Sequence, residues 1–287
     1  MKLYSIETGN FKLDGGAMFG VVPKSIWNKI NPADENNLCP WALRCLLIED
    51  GEKLILVDNG IGDKQSEKFF KHYYLHGDDS LNKSLAANGF SPDDITDVFL
   101  THLHFDHCGG SVIKQNDTLR PAFKNAIYWS NEKHWEWAVN PNEREKASFL
   151  KENILPIQEN GQLQFIKDGN KQENKLPIQT FTENIIVRFV DGHTESMMLP
   201  QINYNGKTIV YMADLLPSQG HIPIPYVMAY DMFPLTTLNE KRYFLQEAEA
   251  NDYILFFEHD PVHECCTLHQ TEKGIRPKEF FKLTDIN

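Results

Sequence analysis

The sequence predicts an α/β protein in which strands pack in two layers with helices outside them. Six apolar runs have the length and composition of strands, and they form two clusters along the chain, each followed by helical patterns. These runs are CLLIE, KLILV, ITDVFL, ENIIVRFV, KTIVYM and DYILFF. The chain has no low-complexity tract, heptad run or short repeat, so it is continuously globular.

Helical patterns lie between some of these runs. SLNKSLAANGF has Ser80 as its expected N-cap, and TLNEKRYFLQEAEAN has Thr237 in the same role. A third helical pattern is KQSEKFFKHYYL. The polar, turn-rich segment Lys151 to Lys175 is typical of a solvated connection.

Composition narrows the classes of partner. The chain has 287 residues, 40 of them acidic and 28 basic, for a net charge of -12. Such a chain has no general attraction for nucleic acid or anionic lipid, and neither is an expected partner. Without a signal-peptide pattern or a membrane-length apolar run, a cytoplasmic protein is the simplest expectation. Five cysteines without C-x-x-C spacing are interpreted as reduced thiols.

Polar residues follow nearly every strand-like run. VDNG follows LILV, THLHFDH follows DVFL, DGH follows IIVRFV, AD follows TIVYM and EHD follows ILFF. If the strands run in register, we expect these polar groups to lie along one edge of the sheets.

The segment THLHFDH carries the densest coordinating chemistry, spelling H-x-H-x-D-H. Alternate residues of an extended segment point the same way, so His102 and His104 suit one metal, while the turn through Asp106 and His107 suits a second. The alternative is a polar loop with surface histidines, but three at this spacing beside an acid favour divalent cations, with zinc the first candidate. Gly109 and Gly110, which follow, are predicted to allow a close backbone approach.

A dinuclear site needs more ligands than these four, and later strand ends offer them. His193 would complete the histidine trio of the first metal, and His259 would join Asp106 and His107 on the second. Asp214 would bridge the two metals.

H-x-H-x-D-H followed at long spacing by G-H, a strand-end aspartate and a strand-end histidine resembles the metallo-β-lactamase superfamily. The resemblance extends from Asp58 to His259 and implies an αββα sandwich, with two mixed β-sheets flanked by helices, as a single domain over residues 1–287. Asp58 matches an early acidic position of the family, which implies that it orients a ligand histidine. Its alternative role is to open the D-N-G turn.

The reaction implied by the resemblance is hydrolysis by a metal-bridging hydroxide. In the family's iron-dependent redox branch the position of His104 is typically glutamate, so His104 favours the hydrolytic branch. Asp106 and Asp214 are the candidate catalytic carboxylates, with Asp106 able to carry a proton to the leaving group. His221 is an alternative proton donor.

Two apolar segments, GAMFGVVPKSIW and HIPIPYVMAYDMF, are candidates for the substrate pocket, although core packing explains them equally well. As whole segments they resemble those of N-acyl-homoserine lactonases and of relatives that hydrolyse organophosphate triesters. The resemblance implies that an acyl lactone is opened, which would silence a bacterial quorum signal. The predicted substrate-binding residues are Met18, Phe19, Trp27, His221, Ile222, Tyr226 and Met228.

Two departures from the family pattern leave other substrates open. Some family lactonases carry a tyrosine three residues beyond the bridging aspartate, where this chain has Pro217. TESMM after His193 brings no second histidine, unlike the common T-x-G-H. A phosphotriesterase or broad esterase with the same metals therefore remains an alternative, as does a catalytically silent sensor that only binds its ligand.

Two further features carry less weight. Cys265 and Cys266 lie near His263, but a vicinal pair binds one metal poorly. Tryptophans in YWSNEKHWEWAV indicate packing or a subunit contact, so a homodimer is one expectation.

Overall fold

The computed structural model describes residues 1–286, with the backbone only for residues 171 and 172. The strands are β1 (Lys2–Asp14), β2 (Leu38–Asp50), β3 (Lys53–Val57), β4 (Asp97–Phe99), β5 (Val112–Gln115), β6 (Thr118–Pro121), β7 (Ile127–Ser130), β8 (Leu163–Phe165), β9 (Asn170–Gln172), β10 (Lys175–Thr180), β11 (Ile185–Val190), β12 (Met197–Tyr204), β13 (Lys207–Tyr211), β14 (Ile254–Phe256), β15 (Cys265–Thr271) and β16 (Gly274–Phe281). The helices are α1 (Gly15–Phe19), α2 (Lys24–Trp27), α3 (Glu67–Phe70), α4 (Leu81–Ala87), α5 (Phe105–Cys108), α6 (Glu132–Val139), α7 (Lys151–Glu159) and α8 (Pro234–Ala250).

The chain forms two compact units. Unit 1 comprises Met1–Asn10 and Leu43–Lys167, and unit 2 comprises Phe11–Ala42 and the chain from Asp168 onward. A six-stranded sheet in the order β1-β2-β3-β4-β7-β8 belongs chiefly to unit 1, with β5 and β6 as a separate pair. Unit 2 holds an eight-stranded sheet in the order β16-β15-β14-β13-β12-β11-β10-β9. The predicted α/β fold with mixed sheets and flanking helices is confirmed; the single domain over 1–287 stays a prediction.

In each sheet, the strands that precede the polar clusters end at the same edge. In unit 1, β3 pairs with β4 in parallel. In unit 2, β13 and β14 are parallel, and β11 has the same direction as β13 because both are antiparallel to β12. Carboxyl ends of strands with one direction meet at one edge, so each sheet gathers its own polar residues there.

Apolar runs explain why these strands form. KLILV in β3 is buried after its first residue, and IIVRFV in β11 is buried at all but one position. Such continuous burial, rather than strict alternation, is typical of strands covered on both faces. The unit 1 core lies between its sheet and helices α4, α6 and α7, and includes Leu56, Val98, Tyr128 and Ile154.

All six predicted strand runs are strands, but the sequence patterns missed several others. These are β1, β5, β6, β7, β8, β9, β10, β12, β15 and β16. The expectation of a solvated connection from Lys151 to Lys175 was wrong, because that segment holds α7, β8 and β9. Ile154 and Ile157 of α7 are fully buried, which explains why a polar segment is ordered as a helix.

Two predicted helix boundaries also need correction. Ser80 caps α4 as expected, accepting a hydrogen bond from the Lys83 amide. Thr237, however, lies inside α8, which starts at Pro234 because proline suits the first helical position. KQSEKFFKHYYL forms only the single turn α3. Among the described residues, no helix combines the length and apolarity that a membrane crossing requires.

Candidate metal centre

The histidine-rich segment of unit 1 leaves β4 in extended conformation and then turns into α5. His104 keeps an extended backbone, whereas Asp106 and His107 lie within the helical turn. All four predicted ligands are buried, at 8% exposure or less. The close approach expected at the glycines is confirmed, since a Cβ on Gly109 would lie 2.1 Å from the Ile61 carbonyl oxygen.

Asp58 connects this segment to the end of β3. Its Oδ1 accepts a hydrogen bond from the Thr101 amide at 2.8 Å, and its Oδ2 accepts one from the Thr101 hydroxyl at 2.6 Å. His107 Nδ1 lies 3.2 Å from the same Oδ2. Because a carboxylate only accepts, His107 carries its proton on Nδ1 and presents an Nε2 lone pair. Asp58 adopts a left-handed backbone with φ of 55°, a strain that often accompanies a functional position.

The Thr101 hydroxyl, fixed by Asp58, in turn determines the tautomer of His102. Since that hydroxyl donates to Asp58, its oxygen is an acceptor for His102 Nδ1, which lies 3.1 Å away. His102 Nε2 then also presents a lone pair.

His104 is held from the opposite side by Glu145. His104 Nε2 lies 2.9 Å from Glu145 Oε1, so its lone pair is on Nδ1. Glu145 is itself fixed by Trp137, whose Nε1 donates to Oε2 at 2.6 Å. Trp137 therefore has a role within this chain, in addition to the packing predicted for the tryptophans.

The tautomers of His102 and His104 show whether the side chains of unit 1 suit a cation. His102 Nε2 and His104 Nδ1 lie 3.1 Å apart, and the surrounding acceptors make both of them lone-pair donors. Two facing lone pairs repel unless a positive centre lies between them, so this pair fits a divalent cation. A second pair of candidate ligand atoms is His107 Nε2 and Asp106 Oδ2, which lie 3.9 Å apart.

In unit 2, Asp214 lies between two histidines. Its Oδ2 is 3.1 Å from His193 Nε2, and its Oδ1 is 3.3 Å from His259 Nε2. Each carboxylate oxygen thus faces a different imidazole, the arrangement expected of a carboxylate that contacts two cations. Ala213, just before it, is left-handed with φ of 40°, so this turn is strained.

The far nitrogens of both histidines also have acceptors. His193 Nδ1 lies 2.9 Å from Asp231 Oδ1, and His259 Nδ1 lies 2.8 Å from the Ala42 carbonyl oxygen. Burial alone lowers the pKa of His193, but the carboxylates of Asp214 and Asp231 raise it to about 10. This corner of unit 2 therefore favours positive charge, and it fits a divalent cation as the unit 1 pair does.

The predicted substrate-binding residues of unit 2 pack around one aromatic stack. Phe19 lies between Trp27, at a ring distance of 5.3 Å, and His221, at 4.7 Å, with Tyr226 against its edge. Met18, Ile222 and Met228 are also buried, and Tyr226 is the one of the seven that is partly exposed.

His221 is held on both ring nitrogens. Its Nε2 donates to the Met18 carbonyl oxygen at 2.9 Å, and its Nδ1 lies 3.0 Å from Ser218 Oγ. Burial lowers the pKa of His221 to about 3, so the ring is neutral. His221 is thus unsuited to the proton-donor role considered from the sequence.

The sequence did not indicate four buried residues that position the candidate ligands of the two units. They are Thr101, His134, Glu145 and Asp231. Glu145 and Asp231 lie 41 and 38 residues from the histidines they contact, and no local motif marks them. His134 accepts a hydrogen bond from the Leu103 amide at 2.8 Å, which holds the backbone between His102 and His104. The one local signal was Thr101, which adjoins the motif.

Comparisons with known proteins agree with this chemistry. Residues 42–259 match the Metallo-beta-lactamase superfamily. An N-acyl homoserine lactonase of Bacillus thuringiensis is 30% identical over 165 residues, which are 54% of this chain and 56% of that protein. The chain therefore spans little more than half the length of that curated relative.

Two solved structures have a similar fold over nearly the whole chain. A probable metal-dependent hydrolase from Staphylococcus aureus is 28% identical with a TM-score of 0.84, and covers 98% of this chain and 96% of its own. AidC, a dizinc quorum-quenching lactonase in complex with a product, is 23% identical with a TM-score of 0.78, covering 98% and 95%. At that identity the second likeness shows the fold alone.

Proposed function

This chain belongs to the metallo-beta-lactamase superfamily, and we propose that it is a two-metal hydrolase that opens the lactone ring of N-acyl homoserine lactones. The observation that carries the proposal is Asp214, whose two oxygens face two imidazoles at 3.1 and 3.3 Å. A carboxylate so placed suits two adjacent cations better than one.

We assign three ligands to each cation and one shared ligand. The first cation would be held by His102, His104 and His193, and the second by Asp106, His107 and His259. Asp214 would be shared between them. The hydrogen bonds support this assignment, because in each unit the carboxylates, or for His259 the Ala42 carbonyl, engage one ring nitrogen of a histidine and leave the other for a cation.

When bound, two divalent cations, with zinc the first candidate, supply an activated water and an electrophile for the ester carbonyl. The protein's own groups do the rest. Asp58, Glu145 and Asp231 orient the histidines: each carboxylate accepts a hydrogen bond from one ring nitrogen and leaves the other nitrogen to face the cation. Asp106 would take the proton that the attacking water releases and pass it to the leaving alkoxide.

The substrate assignment is supported by the curated relative named an N-acyl homoserine lactonase. An acyl lactone has a polar head and an apolar tail, and apolar side chains of α1, α2 and the segment 222–228 suit the tail. Tyr226, which is partly exposed, packs edge-to-face with the buried Phe19, with ring centroids 6.4 Å apart, and is the aromatic ring there that can meet the tail.

Hydrolysis by zinc-loaded protein tests the proposal, with the ring-opened product quantified by mass spectrometry. Acyl-homoserine lactones, thioesters and aryl phosphotriesters are compared on the same preparation. We expect the lactones to be preferred and Asp214→Asn or His259→Ala to abolish turnover. The proposal is wrong if every acyl lactone stays intact; preference for phosphotriesters would instead assign the site to that class.

A charged control separates chemistry from folding. Asp79 is exposed and lies outside the proposed site, so Asp79→Asn changes net charge by the same amount as Asp214→Asn. The control is expected to keep full metal content and turnover. A silent binder would instead retain ligand affinity in the wild type and in both variants without any product.

A further inference from the structure

Helix α8 carries two adjacent charged residues that are buried. Lys241 is 0% exposed and Glu240 is 8% exposed. Burying a charged side chain is costly unless its hydrogen bonds are supplied, so each residue needs a specific set of partners.

The partners of Lys241 are three backbone carbonyls of one short segment. Its Nζ lies 3.0 Å from the Pro223 oxygen, 3.2 Å from that of Ile224 and 2.8 Å from that of Tyr226. An ammonium has three N–H groups, and three acceptors match that form. Burial lowers the pKa of Lys241 to about 7, while Asp231 opposes that shift.

The segment that Lys241 holds is irregular, and its own backbone hydrogen bonds are local turn bonds, from the Tyr226 amide to the Pro223 oxygen and from the Val227 amide to the Pro225 oxygen. IPIPY, residues 222–226, has two prolines without an amide N–H, so it cannot form a regular strand or helix. Three carbonyls gathered on one ammonium replace those missing bonds. The segment continues into Met228 and Asp231, and the Ala229 amide donates to the Ala17 oxygen of α1 at 2.8 Å.

Glu240 performs a parallel task for the turn before His193. Its carboxylate accepts hydrogen bonds from the amides of Asp191, at 2.6 Å, and Gly192, at 3.0 Å. The helix lies so close that a Cβ on Gly192 would be 2.3 Å from Thr237 Oγ1. One turn of α8 therefore orders both a ligand turn and the proline-rich segment.

We propose that Lys241 is a positioning residue that fixes residues 223–226 and thereby sets which acyl chains the enzyme accepts. The substrate part of this inference rests on the proposed lactonase function, whereas the positioning part does not. Lys241 touches backbone rather than substrate, so its effect falls on the shape of the segment that carries Tyr226 and Met228.

The test compares Lys241→Met, which keeps length but removes every donor, with Lys241→Arg, which keeps charge and donors. Arg242→Met is the matched control, since Arg242 is the next residue and is exposed. Metal content, thermal unfolding, amide hydrogen exchange and kinetics over a series of acyl lengths are measured on zinc-loaded protein.

For Lys241→Met we expect exchange to accelerate about tenfold in peptides covering 222–231, with unit 1 peptides unchanged. KM for long-chain lactones is expected to rise on the order of tenfold, with short-chain lactones and metal content little changed. Lys241→Arg should keep most of the exchange protection at 222–231 and most of the affinity for long-chain lactones. Arg242→Met should match the wild type in both.

Three outcomes would overturn the inference. The first is wild-type exchange at 222–231 in Lys241→Met. The second is faster exchange across the whole chain, which would make Lys241 a general stabilising residue. The third is an equal kinetic loss for every chain length. If wild-type protein opens no lactone, the proposed function fails, but the exchange comparison still decides the positioning role. If Lys241→Met does not fold, Lys241→Gln, which keeps two donors but loses the charge, replaces it: exchange at 222–231 as slow as in Arg242→Met would overturn the inference.

Discussion

Replacing Asp58 by asparagine exchanges one carboxylate oxygen for an NH2 group. We expect this to change which ring nitrogen carries the proton in two candidate ligands, His102 and His107. Asp58 Oδ2 accepts from both the Thr101 hydroxyl, at 2.6 Å, and His107 Nδ1, at 3.2 Å. An asparagine that keeps its oxygen toward the Thr101 amide presents an NH2 group there instead. The Thr101 hydroxyl must then accept, which frees its proton for His102 Nδ1 and moves the proton of His102 onto Nε2.

The size of the effect follows from this coupling. Losing one residue that orients a metal ligand typically weakens metal affinity by about 10–100-fold. Because Asp58 acts on His107 directly and on His102 through Thr101, we expect the upper end, about 100-fold, or about 2.7 kcal/mol. The metal-free protein should also be less stable, since hydrogen bonds to a charged group are worth about 1.5–3 kcal/mol each.

Zinc affinity is measured by competition with a chromophoric chelator on Asp58→Asn, wild type and the exposed control Asp79→Asn. The control should bind zinc as the wild type does. Wild-type zinc affinity in Asp58→Asn would refute the tautomer argument. A loss equal in both variants would point to net charge instead.

Three other predictions follow from the same geometry. Glu145→Gln removes the carboxylate 2.9 Å from His104 Nε2 and should weaken zinc binding about tenfold, measured by the same competition; Trp137→Phe, which only loosens Glu145, should cost less. Asp231→Asn should lower zinc affinity about tenfold and leave unit 1 hydrogen exchange unchanged, because Asp231 orients only His193. Removing metal with a chelator should lower the unfolding free energy by about 4 kcal/mol for a metal present at about 1,000 times its Kd, read as a lower Tm; equal Tm values with and without chelator would argue against metal binding.

The sequence predicted those elements whose signal lies within a few consecutive residues, such as an apolar run or a capping residue. The six predicted strand runs contain strands because each includes a continuous stretch of buried, mainly apolar residues. Ser80 was identifiable as a cap from its own residue type and position. Thr237 was not, because a hydroxyl near a helix start is a weaker signal than the proline three residues earlier.

Several elements were missed because packing, rather than local composition, orders them. α7 has a polar sequence interrupted by Pro156, yet it is a helix whose Ile154 and Ile157 join the unit 1 core. β12 and β15 are likewise recognisable only from their neighbours in the sheet.

The sequence by itself determined where the candidate metal ligands lie in the chain, because imidazoles and carboxylates after strand ends form a pattern readable from spacing alone. Only the tertiary structure decided which nitrogen of each histidine is available. That choice depends on acceptors distant in sequence, such as Glu145 and the Ala42 carbonyl, 217 residues from His259. A hydrogen bond depends on position in space, and chain spacing does not encode such long-range contacts.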